Sequence, residues 1–218
     1  MDRLQLEELS SIVERVLCDS EHGAHTIDHV HRVYSIAMTI GKEMAVNSRV
    51  LAAAALLHDI GRPQEKTTGV SHSIVSGEMS RGILSRIGYS DTEVEQVVDA
   101  IRTHRFSEGL RPVTREGEIL SDADRLDAMG AIGIYRAIAE AVASGRGIEG
   151  FLAHAEEKLL RLQEHMYTDT GKRMAAERHG LLVSFVNQLK AEYDQSTRPY
   201  GPTAAQGTTL SRSLRDSG

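Results

Sequence analysis

The chain has 218 residues, 40% hydrophobic and 26% charged, an ordinary globular composition long enough for one large domain or two small ones. With 31 acidic against 25 basic side chains and a net charge of -6, it lacks the positive excess of a general nucleic-acid or membrane-surface binder. The longest apolar run, residues 50–57, is eight residues against the roughly 20 of a membrane span, which excludes a long apolar transmembrane helix.

The segment MDRLQLEELSS is amphipathic and has no signal-peptide character, and Cys18, the single cysteine, cannot form an internal disulfide. A cytoplasmic protein is expected, with neither a membrane nor a nucleic-acid duplex as partner. Helical periodicity dominates from the start. Leu6, Leu9, Val13, Val16 and Leu17 mark a first amphipathic helix, and His29, Val33, Ile36 and Ile40 mark a second from Ile27 to about Ala45. Asn47 or Ser48 can cap a third, whose run Val50–Leu57 reads as buried on most sides and ends at Gly61 and Pro63. Residues 62–70 read as a surface loop. Ser71 can cap a helix through Ile87, and Ser90-Asp-Thr-Glu93 is a capping box opening another with Val94, Val97, Val98 and Ile101. After a loop over 105–113, Thr114 starts a helix through Asp122, followed by a longer one to about Ala143. Residues 148–166 and 172–193 are two more. No period-2 strand stands out, so the expected fold is all-α, a bundle of eight or nine helices over residues 1–195, with 196–218 a disordered tail rich in Gly, Ser and Thr.

Polar residues interrupt apolar faces at three places. His29 lies on the Val33–Ile36–Ile40 stripe with Arg32 leaning the same way, as a buried core histidine or as a ligand. His58-Asp59 ends the most apolar segment, where an ionisable pair is costly unless it is paired or binds a metal. Adjacent helical residues point about 100° apart, so the two converge on one ion only at a helix end. Otherwise the pair is a helix C-terminus reaching the surface. Asp124 interrupts the stripe Leu120, Asp124, Asp127, Ala131, Ile134; Asp122 lies about 200° round the helix and could share a site only if the helix broke there. Either aspartate could instead cap a helix beginning near 124. A neutral imidazole and a carboxylate suit Mn, Fe, Co, Ni, Zn or Mg.

Taken in order, His25-Thr-Ile-Asp-His29-Val-His-Arg32-Val33, Ala55-Leu-Leu-His58-Asp59-Ile-Gly61-Arg62 and Ile119-Leu-Ser-Asp122-Ala-Asp124-Arg125-Leu126-Asp127 resemble the HD superfamily of metal-dependent phosphohydrolases. The likeness continues through Tyr167-Thr-Asp-Thr and Ala176-Glu-Arg178-His179, as in small stand-alone HD hydrolases, an all-helical family. The resemblance implies His29, His58, Asp59 and Asp124 as ligands of one divalent ion. Arg32, Arg62 and Arg125 are implied as holders of phosphate oxygens, Arg125 having the alternative of a surface ion pair with Asp122. Thr26 stands where many relatives carry Asp, and Arg62-Pro63 replaces the acidic pair of ppGpp hydrolases, which turns expectation away from that substrate. His104-Arg105-Phe106 lacks the paired histidines of the cyclic-di-GMP branch. His72 and His104 therefore read as pocket residues, second-metal ligands being the other option.

The expected chemistry is hydrolysis of a phosphoester or phosphoanhydride of a small molecule, a nucleotide first of all. Arg32 with Arg62 or Lys66 would neutralise phosphate charge, Asp59 would ligate and take a proton from water, and His104 would protonate the leaving oxygen. Tyr34, Phe106 and Tyr135 are the stacking surfaces within reach, and His22, His154 and His165 read as surface residues. The competing expectations are a non-catalytic nucleotide-sensing module, in which a homodimer could form, and a di-iron oxygenase.

Overall fold

Four helices of the bundle start where a polar side chain satisfies free N–H groups of the first turn. Among residues 3–17 and 27–196, which the computed structural model describes, there are ten α-helices, two 3₁₀ segments and no strand. They are α1 (Arg3–Leu17), α2 (Ile27–Gly41), α3 (Ser48–Leu57), α4 (Arg62–Thr68), α5 (His72–Arg86), α6 (Asp91–Thr103), α7 (Arg115–Asp127), α8 (Gly130–Ala143), α9 (Gly147–Glu157) and α10 (Asp169–Ser196). The 3₁₀ segments are Phe106–Glu108 and Leu159–His165. His22, His25, Thr26 and the expected tail beyond Ser196 lie outside the described residues.

Asn47 accepts from the amides of Arg49 and Val50 to start α3, Ser71 caps α5 and Thr114 caps α7. Ser90 and Glu93 close the full reciprocal capping box of α6. Arg49 ties that box to α3, donating to Glu93 at 2.9 Å while its guanidinium lies over Tyr89.

Helix α3 is the axis. Every residue from Val50 to Leu57 is buried, because α2, α6 and α7 pack around it, and its four consecutive alanines allow close approach. One apolar cluster runs from Leu9 in α1 to Val186 in α10. No helix among the described residues is long and apolar enough to cross a membrane.

Three boundaries differ from expectation. Residues 62–68 form α4, not a loop: Pro63 sits in the first turn, where its missing N–H costs nothing, and left-handed Gly69 ends it. Pro63 thus starts a helix instead of stopping one. The break expected near residue 122 falls at Ala128–Met129, before left-handed Gly130. The single helix expected over 148–166 stops at Glu157, since Lys158 (φ -127°, ψ -62°) leaves helical geometry and the chain continues as 3₁₀.

The turn after α3 is clamped onto α5. Gly61 donates its amide to Ser76 Oγ at 2.9 Å, and a Cβ there would lie 2.7 Å from Ser76 N and 2.9 Å from His72 O. Gly61→Ala is expected to cost about 1–3 kcal/mol through this overpacking, read as a lower urea midpoint in chelator-treated protein; an unchanged midpoint would mean α5 yields freely.

Candidate metal centre

Six chain positions meet where these helix ends converge. His29 comes from the first turn of α2, His58 and Asp59 from the turn after α3, His72 from the start of α5, His104 from the end of α6 and Asp124 from α7. The four imidazoles and Asp59 are buried, whereas Asp124 is 23% exposed and opens toward solvent.

Each imidazole has its Nδ1 against an atom that only accepts. His29 Nδ1 faces Asp127 at 2.7 Å, His58 Nδ1 the carbonyl of Ala55 at 2.8 Å, His72 Nδ1 Glu65 at 2.9 Å and His104 Nδ1 the carbonyl of Ile101 at 2.5 Å. A neutral ring therefore carries its proton on Nδ1 in each case and turns Nε2 inward. Those lone pairs face one another and the carboxylates. His29 Nε2 is 3.2 Å from His58 Nε2 and 3.4 Å from both Asp59 Oδ2 and Asp124 Oδ1. His72 Nε2 is 3.2 Å, and His104 Nε2 4.0 Å, from Asp59 Oδ1.

A buried gathering of imidazole Nε2 atoms and carboxylates, where Arg62 is the cation against Asp59, favours a further cation among them. His72 Nε2 is buried and makes no hydrogen bond. The residues fit a divalent ion: imidazole and carboxylate donors, no thiolate, and an N–H of each ring anchored behind it. The donors fall into two groups that share Asp59, one with His29 and His58 and one with His72 and His104.

Charge at the centre is tuned by burial and neighbours. Burial pushes His58 down to about 3 and His72 down to about 4, so both stay neutral and able to ligate. Burial also opposes a charge on His29, but Asp127 and Asp59 outweigh it and raise its pKa; the same surroundings favour any positive charge at that spot. Burial would raise Asp124, yet the imidazoles of His29, His104 and His58 hold its carboxyl well below the usual range.

The continuous α7 separates the two aspartates. Asp124 faces the histidines, while Asp122 turns away and accepts from the amides of Tyr167 and Thr168, each at 2.8 Å. Arg62 lies at the centre, donating to Asp59 Oδ1 at 2.9 Å. Arg32 is turned inward to Asp127, at 2.6 and 3.1 Å. Arg125 is not with them: buried, it donates to the carbonyl of His165 and lies between the rings of Phe106 and Tyr167. It makes no surface ion pair with Asp122, because α7 is covered on that side.

A cleft of about 560 Å³ adjoins Asp124 and His104. Arg62 and Lys66 from α4 line it, with Arg105, Phe106, Arg136, Arg146, His154 and Lys158. Of the three expected stacking rings only Phe106 lines it; Tyr135 is 74% exposed on the outer face of α8. His154, expected on the surface, lines the cleft because α9 lies along it.

Sequence reasoning gave no role to Asp127, Arg136, Glu65 or Lys158. Asp127 was visible as a second acid on the apolar stripe of α7, three residues after Asp124. Its carboxylate is 1% exposed and binds His29, Arg32 and Arg136. Burial alone would raise it, but the hydrogen bonds from His29 and Arg32 hold it well below the usual range. Arg136 and Lys158 left no signal, since a basic residue on an amphipathic helix normally faces solvent.

The HD domain family matches residues 26–129. The Bacillus subtilis protein YpgQ is 35% identical over 197 residues, spanning 86% of this chain and 93% of its own. The chain belongs to the HD superfamily. A solved HD superfamily hydrolase from an uncultured Thermotogales bacterium is 35% identical with a TM-score of 0.66, the alignment covering 86% of this chain and 92% of that one. The structure of B. subtilis YpgQ in complex with ADP aligns at 31% identity and a TM-score of 0.70, over 86% and 97% of the two chains. The HD pair is His58-Asp59, and the fold is that of HD-superfamily hydrolases with a His/Asp cluster suited to a metal.

Asp127→Asn keeps the shape but weakens the grip on His29, and Mn affinity measured by calorimetry should fall about 10–100-fold; an unchanged affinity would remove Asp127 from the site. The metal-free HD domain should also lose stability with acid. His58 and His72 titrate below the ordinary 6.5, so the unfolded chain binds more protons between about pH 6.5 and 3. That stability is full above 6.5 and drains as pH falls toward 3; His29, raised, acts oppositely and only above 6.5. Urea midpoints in chelator should fall from pH 7 to 4.5, and less steeply in His58→Asn; parallel slopes would contradict this.

Proposed function

We propose that the protein is a metal-dependent phosphohydrolase acting on a nucleotide. The observation that carries this is the convergence of four Nε2 lone pairs with Asp59 and Asp124 beside a cation-lined cleft. The ADP bound in the YpgQ structure supports a nucleotide as the ligand class. His29, His58, Asp59 and Asp124 would hold the ion. A bound divalent ion supplies Lewis acidity, making hydroxide available near neutral pH and polarising the phosphoryl group.

The chain's own residues do the rest. Arg62, fixed by Asp59 and by Glu65 at 3.5 Å, presents its remaining N–H groups to the cleft, and Lys66 adds a mobile charge one turn on. Both offset the charge that gathers on phosphate oxygens during transfer. Arg32 acts behind the site, holding Asp127 and through it His29. Asp59 has one oxygen toward His29 and His58 and the other toward His72 and His104, so one can ligate while the other takes a proton from water. His104, with its Nδ1 proton committed to Ile101, takes up at Nε2 the proton that Asp59 removes from water and passes it to the leaving oxygen. His72 is aimed by Glu65 in the same manner and contacts substrate. Arg125 acts indirectly, fixing the Phe106 and His165 edge of the cleft.

A phosphate-release screen over nucleotides, cyclic nucleotides and sugar phosphates, with Mn, Mg, Co, Ni and Zn in turn, tests the reading. Hydrolysis should require metal, consume no oxygen, and fall at least ~100-fold in His58→Ala and Asp59→Ala. Undiminished activity in either variant would refute it, and oxygen uptake with iron would move the protein to the oxygenase class.

A further inference from the structure

Glu65, which aims His72, is itself held. Its Oε1 accepts from Arg105 at 2.6 Å while its Oε2 accepts from His72 at 2.9 Å. Separate partners on the two oxygens fix the plane of a carboxylate that one contact would leave free to swing. Arg105 follows His104 directly and also lies 3.5 Å from Glu108, so it ties the end of α6 to both glutamates.

Glu108 closes the circuit from the other side. It accepts from the hydroxyls of Ser71 and Ser73, the residues flanking His72, the latter at 3.0 and 2.9 Å. An acid near the start of α5 would favour the helix in any case. Yet α5 already has its cap, Ser71 Oγ accepting from the amide of Ser73, and the hydrogen bonds of Glu108 go to hydroxyls instead of helix N–H groups. Ser71 Oγ is fully used: it donates to Glu108 and accepts from Arg105 at 3.0 Å and from Ser73 N. Burial would raise the pKa of Glu108, but Ser71, Ser73 and Arg105 hold it below the usual carboxylate range, so the clasp is charged. Arg105, Phe106 and Ser107 line the cleft and Glu108 does not, so any effect it has on a substrate passes through its neighbours.

The His72 ring has a carboxylate at each nitrogen, Glu65 at Nδ1 and Asp59 Oδ1 at 3.2 Å from Nε2. Whichever nitrogen holds the proton, the other presents a lone pair, so the anchor at Nδ1 decides whether Nε2 accepts or donates. A loosened Glu65 lets the proton move to Nε2, where Asp59 receives it.

We infer that Glu108 is a positioning residue: through Ser71 and Ser73 it sets the place of His72, and through Arg105 and Glu65 the tautomer of its ring. This deepens the phosphohydrolase reading and rests on it for the contact between His72 and substrate.

The test compares the full-length protein with Glu108→Ala, Glu108→Gln and a control, Glu93→Ala, which opens the capping box at the end of α6 opposite His104. Ring-nitrogen NMR of histidine-labelled protein, in chelator at one neutral pH, reads the tautomers, His72 being assigned by its loss in His72→Asn. The His72 signal should show Nδ1–H in the unaltered protein and in Glu93→Ala, and gain Nε2–H in Glu108→Ala, while His58, anchored by the Ala55 carbonyl, keeps its pattern throughout. With Mn, kcat/KM should fall about tenfold or more in Glu108→Ala, with Mn affinity unchanged because other residues hold the ion. Glu108→Gln, which still accepts from the hydroxyls, should recover part of the loss, and Glu93→Ala should lower the thermal midpoint without lowering kcat/KM. Should Glu108→Ala melt below the assay temperature, Ser73→Ala removes half of the clasp and should give the same changes on a smaller scale. An unmoved His72 signal in the folded variant would overturn the inference, as would an equal loss of kcat/KM in Glu93→Ala. A moved tautomer with no phosphorylated compound hydrolysed would sink the phosphohydrolase reading and leave the positioning standing. Hydrolysis with an unmoved His72 signal would do the reverse.

Discussion

The carboxylate of Asp127 is the joint on which the site turns. It is buried at the end of α7, receives Nδ1–H of His29 and the guanidinium of Arg32 from α2, and receives Arg136 from α8 at 2.5 Å. One negative charge therefore sets the tautomer of a candidate ligand and ties α8, which lines the cleft, to the helices around α3. A buried ionic cluster of this kind is weak evidence of net stability, since its desolvation cost rivals its attraction. Removing one member is different, because it strands the others as unpaired buried charges. The arrangement is thus better understood as specifying geometry: it fixes where Nε2 of His29 points, and that direction defines the centre.

Behind the other three imidazoles the anchors are of a different kind. His58 and His104 each follow a helix and give their Nδ1 proton to a carbonyl three residues back, Ala55 and Ile101. Helix ends leave carbonyls without partners, so a histidine placed just after a helix finds an acceptor ready-made. His72 sits at a helix start, where carbonyls are already taken, and a side chain must serve instead: Glu65 from α4. That explains why α4 exists. It carries Glu65 to His72 and Arg105, and Arg62 to Asp59, in barely two turns.

The legible parts of this protein were those where local chemistry and tertiary position agree. The apolar run Val50–Leu57 could only be a buried helix, the Ser90–Glu93 box could only open one, and His29, His58 and Asp59 stood out as polar residues on faces with no solvent to meet. The HD resemblance then gave their order meaning. Pro63 was misread because proline ends a helix that reaches it but is welcome in the first turn of a new one. Arg125, which the resemblance offers as a phosphate holder with a surface ion pair as the alternative, is enclosed by a ring pair and the His165 carbonyl, and its neighbours come from residues 106 and 165–167, far from it along the chain. The kink at Lys158 has no proline or glycine to announce it; only the packing of the 3₁₀ segment against α9 and α10 requires it.

That kink also bears on the charge balance. The protein is acidic overall at -6, yet the cleft is lined by six Lys and Arg side chains against three Asp and Glu. An acid one turn back would pair with Lys158, but His154, its pKa lowered by burial, stands there, at the point where α9 stops. Local propensity, pairing and hydration all argue against leaving Lys158 there unpaired, and such conflicts between local rules and the fold are found where a site needs them. Concave, low-dielectric walls strengthen the field of those cations, so the local excess in the cleft attracts an anion that the net charge of the whole chain opposes. The acidic exterior thus adds selectivity: an anion gains by binding only where it reaches the cleft itself.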